Sequence, residues 1–264
     1  MKCKKREHKT GGAGITSPGA RQQDLNRRFD QTQLREKQHG RMVHRDYAAH
    51  FFRWGFVANF LKKSKQQMVL DVGCGQDYPL IKVIQGNINI LPKGYVGVDL
   101  NKVPECGNRW VEAIYDETNY LEKAKEIREV HGLFDVITCF EVIEHMHAPD
   151  GSRLLREFRR SLKDDDSRLF LSTPVYNNKK MAANHLHEWT IDELAAAIDL
   201  AGLEVVDRFG TFASWPEIKK VLPPEELALV EELHRYYSHD VLSCFLAPKY
   251  PNFSRNNTWV IRKR

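Results

Sequence analysis

Apolar residues run along this chain in two rhythms. Short, almost wholly apolar runs occur at residues 68–71, 95–99, 110–114, 134–139, 168–173, 203–209 and 258–262. Stretches at 120–130, 152–162 and 191–201 instead place apolar residues three and four apart. The first pattern predicts strands buried on both faces, and the second predicts helices with one core-facing side. Their alternation predicts a doubly wound α/β domain, a mostly parallel sheet with helices on both faces. Ahead of the first strand, His44, Tyr47, Phe51, Trp54, Ala58 and Leu61 form one helical stripe. That stripe predicts an N-terminal helical segment, 31–66, packed on the core. Arg41, Arg45 and Arg53 lie on the same segment; one could hold a donor carboxylate, but each is expected to be solvated.

The pattern divides the chain into a flexible basic leader (1–30), the helical segment (31–66) and a core (67–215). An insertion, 216–257, has a helical middle and a Pro-rich tail and is expected to form a cap. Residues 258–264 supply the last strand of the core.

Composition narrows the class. With 42% hydrophobic and 28% charged residues, the 264-residue chain reads as a water-soluble globule with a real core. No stretch approaches the ~20 apolar residues of a membrane span, so no membrane partner is expected. The basic N-terminus has no apolar core of a secretory signal. Five cysteines without a CxxC spacing exclude a disulfide framework and fit a reducing, cytoplasmic setting. The net charge of +5 is uneven: residues 1–45 hold twelve Lys/Arg against four Asp/Glu. That leader is either a solvated tail or an electrostatic handle for RNA.

The strongest local signal is Val69-Leu70-Asp71-Val72-Gly73-Cys74-Gly75, a strand that runs into a turn with two glycines. Glycines at a strand tip let a ligand lie against bare backbone. A second strand, Tyr95-Val96-Gly97-Val98-Asp99, ends in a carboxylate able to accept both hydroxyls of a ribose. Leu100 follows, placed to pack on an adenine. A nicotinamide enzyme would carry a third glycine where Tyr78 stands. A third cluster is Phe134-Asp135-Val136-Ile137-Thr138-Cys139-Phe140-Glu141-Val142-Ile143-Glu144-His145.

These segments resemble motifs I, II and IV of the class I S-adenosyl-L-methionine-dependent methyltransferases, in the branch marked by Glu-Val-Ile-Glu-His. Leu171-Ser172-Thr173-Pro174 and His185 to Leu194 resemble that branch's fifth strand and following helix. Asp164-Asp165-Asp166-Ser167 departs from its usual Pro-Gly-Gly turn. The resemblance covers about residues 40–210 and implies a seven-stranded, Rossmann-like sheet with its last strand antiparallel. It implies that Asp71, Gly73, Gly75, Asp99, Leu100, Asp116 and Phe140 bind S-adenosylmethionine.

Methyl transfer from a sulfonium needs alignment, exclusion of water and, for a hydroxyl acceptor, a proton acceptor. Glu141, His145 and His185 are the candidate catalytic residues, with His147 and His187 further imidazoles nearby. If a helix begins by Glu141, then Glu141, Glu144 and His145 share one face. With His185 they resemble the Mg2+- or Mn2+-binding set of the small-RNA 3′-terminal 2′-O-methyltransferases. The expected reaction is O-methylation of a small molecule or glycan, with metal-assisted 2′-O-methylation of RNA the alternative. More distant rivals are a nicotinamide-dependent oxidoreductase and a non-catalytic protein that kept the cofactor fold.

Overall fold

A computed structural model describes residues 45–62, 67–86, 92–177 and 181–264. The leader 1–30, residues 31–44 with Arg41 and His44, and the side chains of Arg45 and Tyr47 lie outside the described residues. Helix α1 spans Arg45–Lys62. Strand β1 (Met68–Val72) leads into α2 (Pro79–Gln85), then β2 (Gly94–Val98) and β3 (Val111–Tyr115). Next come α3 (Tyr120–His131), β4 (Val136–Phe140), a 3-10 turn (Ile143–His145), α4 (Ala148–Ser161) and β5 (Arg168–Pro174). The chain closes with α5 (Ile191–Leu200), β6 (Leu203–Ala213), α6 (Trp215–Ile218), α7 (Pro224–Leu233), α8 (His239–Leu246) and β7 (Ser254–Lys263).

The seven strands form one sheet in the order β3-β2-β1-β4-β5-β7-β6. All pairings are parallel except those of β7, which is antiparallel to both β5 and β6. This is the expected doubly wound sheet. Strands β1, β2 and β4 are buried at every position, because helices cover both faces. One face buries Leu70, Val96, Ile137 and Leu171 under α3, α4 and α5. The other buries Val69, Tyr95, Val136 and Phe170 under α1 and α2. Chain order reverses between β1 and β4, so their carboxyl ends open a crevice where ligands bind in such folds.

Local chemistry explains several boundaries. Thr190 and Glu193 form a reciprocal capping box at the start of α5. The Asp164 carboxylate accepts from the Asp166 and Ser167 amides and the Ser167 hydroxyl. An Asx-type turn thus does there what Pro-Gly-Gly does elsewhere.

Helix α1 corrects part of the sequence reading. Its most buried line is Ala49, Arg53, Val57 and Leu61, while Trp54 and Phe51 are half-buried. Phe56 and Phe60 also pack on Phe209 and Phe170 of the sheet. Arg53 is thus buried rather than solvated, 3% exposed. Among the described residues, no helix is long and apolar enough to cross a membrane.

Candidate active site

The crevice is built from three strand tips. The amides of Gly73 and Cys74 donate to Val98 O at 2.8 and 3.2 Å, which sews the end of β1 to the end of β2. Asp99 N donates to Tyr115 O in turn, at 3.0 Å, so β3 joins the same edge. Gly73 and Gly75 have φ +78° and +69°, a backbone that side chains rarely tolerate. A Cβ at Gly73 would strike Val142 Cγ2, whereas one at Gly75 would meet nothing nearer than Pro79 Cδ at 3.9 Å. Gly73 therefore serves packing, and Gly75 leaves backbone open to the crevice. Tyr78 stands left-handed (φ +46°) ahead of α2, and its hydroxyl donates to Pro104 O. The residue that takes the place of a third glycine thus ties the loop to the segment after β2.

Asp99 Oδ2 accepts from Gly75 N at 2.9 Å, and Oδ1 accepts from the Asn101 amide at 2.8 Å. The carboxylate holds the glycine turn and its own loop together at the mouth of the crevice. Asp71 lies deeper. It accepts from the Tyr95 hydroxyl at 2.7 Å and from Thr138 Oγ1 at 2.7 Å. Burial, against those two hydrogen bonds, pushes its carboxyl up to about 6. Leu100 is 68% exposed beside Asp99, and half-buried Asp116 follows β3. Phe140 is buried under the Arg53 guanidinium, 5.2 Å from its ring centroid.

The second half of the site follows β4. Glu141 does not begin a helix: it is left-handed at φ +57°, and only the short 3-10 turn follows. The one-face arrangement of Glu141, Glu144 and His145 is therefore not formed. The structure brings together Glu144, His145 and His185, with one ligand atom of each within 4.8 Å of the others. Glu141 stands apart, bound by Arg53 Nη1 (2.8 Å), Ser172 Oγ (2.7 Å) and Asn256 Nδ2 (2.9 Å).

Hydrogen bonds fix the two imidazoles. His145 Nδ1 lies 2.9 Å from Asn184 O. A carbonyl only accepts, so Nδ1 carries the hydrogen and Nε2 of the neutral ring keeps its lone pair. His185 Nδ1 lies 2.5 Å from Glu188 Oε1, which frees its Nε2 in the same way. The rings meet edge to face at 5.1 Å. The 182–188 loop is pinned to the turn, because Leu186 and His187 amides both donate to Glu144 O. Burial lowers the His145 pKa below its ordinary 6.5, with the neighbouring His185 adding to that. Glu144, 1% exposed, accepts from Thr173 Oγ1 at 3.1 Å. Burial and the Glu141 charge push its carboxyl well above the usual carboxylate range. Glu141 titrates the other way: burial works against ionisation, but Arg53, His50, Asn256 and Ser172 outweigh it and hold the carboxylate ionised.

His147 is exposed, and His187 pairs with Glu193 and packs on Trp189, so neither joins the cluster. Arg53, considered from the sequence only as a possible partner of a donor carboxylate, instead pairs with Glu141, and Thr173, Asn184, Glu188 and Asn256 belong to the site although the sequence pattern did not single them out for it. Only Glu188 left a signal, three residues after His185 beside a tryptophan.

Sheet order, the glycine turn and the acid at the tip of β2 define the class I S-adenosylmethionine-dependent methyltransferase fold. Residues 43–208, more than half of the chain, match the family described as a methyltransferase domain, and the chain belongs to that family.

A ubiquinone biosynthesis O-methyltransferase of Pseudomonas putida (strain W619) is 30% identical over 168 residues, covering 54% of this chain and 66% of that one. The mitochondrial ubiquinone biosynthesis O-methyltransferase of Saccharomyces cerevisiae is 32% identical over 119 residues, 43% of this chain and 35% of its own. The chain thus spans between about a third and two-thirds of those two relatives. Among solved structures, a Burkholderia thailandensis 1,6-didemethyltoxoflavin-N1-methyltransferase aligns with TM-score 0.51 at 18% identity, covering 96% and 93% of the two chains. The small RNA methyltransferase HEN1 aligns with TM-score 0.52 at 18% identity, over 80% of this chain and 25% of that one. At such identities the alignments establish the fold.

Proposed function

We propose that this chain transfers the methyl group of S-adenosylmethionine to a hydroxyl oxygen of a small molecule or glycan. The observation that carries the reading is the His145 ring. Its Nδ1 is committed to Asn184 O, and burial keeps it neutral, so Nε2 is ready to accept a proton at pH 7. As the acceptor oxygen forms its bond to the methyl carbon, the bond from sulfur to that carbon breaks. S-adenosylhomocysteine leaves, and the hydroxyl proton passes to His145 Nε2. Both relatives are O-methyltransferases of ubiquinone biosynthesis, which supports oxygen as the acceptor.

The crevice fits the donor. The open side of Gly75 offers backbone, Asp99 offers a carboxylate to the ribose, and Leu100 and Asp116 flank the adenine position. The left-handed Gly73 and the Asp71 carboxylate beneath the loop support that cradle, with Phe140 on the sulfonium side. Because Asp99 also holds Gly75 N, Asp99→Ala should weaken S-adenosylhomocysteine binding about tenfold to a hundredfold by titration calorimetry. Unchanged affinity would remove Asp99 from the donor site.

The donor set Glu144, His145 and His185 supports a second reading, cation-assisted transfer. A carboxylate and two imidazoles suit Mn2+ better than Mg2+, since imidazole favours transition metals. Each ring is oriented by a carbonyl or carboxylate on its Nδ1, which leaves both Nε2 atoms uncommitted, and His145 Nε2 lies 4.0 Å from Glu144 Oε1. Such a cation would lower the pKa of a bound hydroxyl. Mn2+ titrated in an EPR experiment should then bind with Glu144→Gln weakened about tenfold or more. Wild-type protein that leaves the free Mn2+ signal unchanged eliminates this reading. In that reading the acceptor can be an RNA 2′-hydroxyl drawn by the basic residues 1–45.

The acceptor is tested by incubation with methyl-labelled donor and two probes, protocatechuate as a catechol and a small RNA with a free 3′ end. Label in the catechol that survives EDTA supports the first reading. Label confined to RNA and abolished by EDTA overturns it in favour of the second.

We take 67–215 and 258–264 as the catalytic core, with helix α1 packed on it. The insertion 216–257 is read as a cap, because β6 ends and β7 begins at the carboxyl edge: Asn256 pairs with Pro174. The cysteine usage supports a cytoplasmic setting.

A further inference from the structure

Glu141 has three partners drawn from distant parts of the chain: Arg53 on α1, Ser172 on β5 and Asn256 on β7. Its Oε1 accepts from all three, and its Oε2 accepts a second contact from the Asn256 amide. Arg53 Nη1 also donates to Ser172 Oγ at 3.0 Å, and its guanidinium lies 5.1 and 5.2 Å from the Trp54 and Phe140 rings. Asn256 in turn accepts from Thr211 Oγ1 of β6 at 2.8 Å. A polar chain therefore runs past the end of β4 from the N-terminal helix to strand β7, and Glu141 is its hub.

We infer that Arg53, Glu141 and Asn256 form a clamp that fixes helix α1 and strand β7 around the acceptor side, with Glu141 a positioning residue rather than a cation ligand or base. This rests on the methyl-transfer reading for what the crevice does, but not on any cation being bound. The reason is charge. Arg53 is buried, and the Glu141 carboxylate is the acid that pairs with it. A carboxylate turned toward a divalent cation would abandon that guanidinium, and the guanidinium would itself repel the cation. The left-handed backbone at Glu141 is the cost of aiming its side chain at Arg53 and Asn256 instead of along the Glu144–His145 turn. Any cation held here would then be held by Glu144, His145 and His185 alone.

The test compares Glu141→Gln, Arg53→Met and the double variant with wild type, by thermal unfolding, Mn2+ EPR and protocatechuate kinetics. Each single change leaves one charge of the pair without its partner, and the double change removes both. The clamp predicts that each single variant melts lower and the double variant recovers much of the loss. Glu141→Gln should raise the protocatechuate KM more than it lowers kcat, and the double variant should bring KM back. Mn2+ affinity in Glu141→Gln should stay within about threefold of wild type, because the groups that orient Glu144, His145 and His185 are Thr173, Asn184 and Glu188 instead. If the single variants do not fold, recovery of a folded, S-adenosylhomocysteine-binding double variant supports the clamp. A double variant no better than the worse single one overturns it, as does a loss of Mn2+ affinity in Glu141→Gln equal to that in Glu144→Gln. Absence of Mn2+ binding in wild type counts against the cation reading alone, since the unfolding cycle still decides the clamp.

Discussion

His145→Ala is expected to lower kcat about 10²–10⁴-fold, the usual contribution of a positioned general base. S-adenosylhomocysteine affinity should change little, because the proposed donor cradle, Gly75 and Asp99, lies on other strand tips. The split separates a chemical role from a structural one: loss of a transition-state contact lowers kcat and kcat/KM together. The pH profile gives a second check. Only neutral His145 can take a proton, and burial lowers its pKa below 6.5. The acid limb of kcat should therefore fall below pH 6.5, with no decline between pH 8 and 7. An acid limb above 6.5, or full turnover in His145→Ala, removes His145 from the reaction. His185→Ala should lower kcat less than His145→Ala, since the His185 ring packs edge to face on His145 but its Nδ1 is paired with Glu188.

Much of the fold was legible because each strand of the core is short, apolar and bounded by turn residues. The expected runs at 68–71, 95–99 and 168–173 differ from β1, β2 and β5 by a residue or so at their ends. The largest shortfall was β7, expected at 258–262 but extending back to Ser254. Asn256 and Asn257 have low strand propensity, and alternation fails there. Tertiary partners fix them instead: Asn256 serves Glu141, and Asn257 joins Arg208 and Pro251. The glycine turn and Asp99 were legible for a related reason, being a local backbone device written in consecutive residues. The Glu-Val-Ile-Glu-His segment was legible as chemistry but not as geometry. Helical spacing placed Glu141 beside Glu144, and one left-handed residue sent it to Arg53, 88 positions earlier in the chain. No periodicity marks Arg53 as buried, since its partners come from the residue after β4 and from β5, and its charge argues for solvent. Partners so far apart in sequence have no local signature.

Gly73→Val should cost about 2–5 kcal/mol of stability and lower the melting midpoint by roughly 5–15 °C. Two terms contribute. At φ +78° a β-branched side chain is forced into a backbone it strongly disfavours. The new Cβ also overlaps Val142 Cγ2 and comes to 4.0 Å from Phe140 O. Val142 cannot retreat cheaply, because it sits between Glu141, held by Arg53 and Asn256, and the buried Ile143. The overlap therefore reaches both halves of the site at once, shifting the donor loop through Gly73 N and Val98 O and the His145 turn through Val142. Gly75→Ala is the informative contrast. Its Cβ meets only Pro79 Cδ at 3.9 Å, so the fold loses about 1–2 kcal/mol of backbone preference and little packing. Its larger effect should fall on S-adenosylhomocysteine affinity, since the new methyl group enters the space left for the ligand. Differential scanning fluorimetry with and without that ligand separates the two. Gly73→Val should melt low in both conditions, and Gly75→Ala should melt near wild type but gain little from ligand. Equal ligand-induced shifts in Gly75→Ala and wild type would mean that the donor does not lie on this turn.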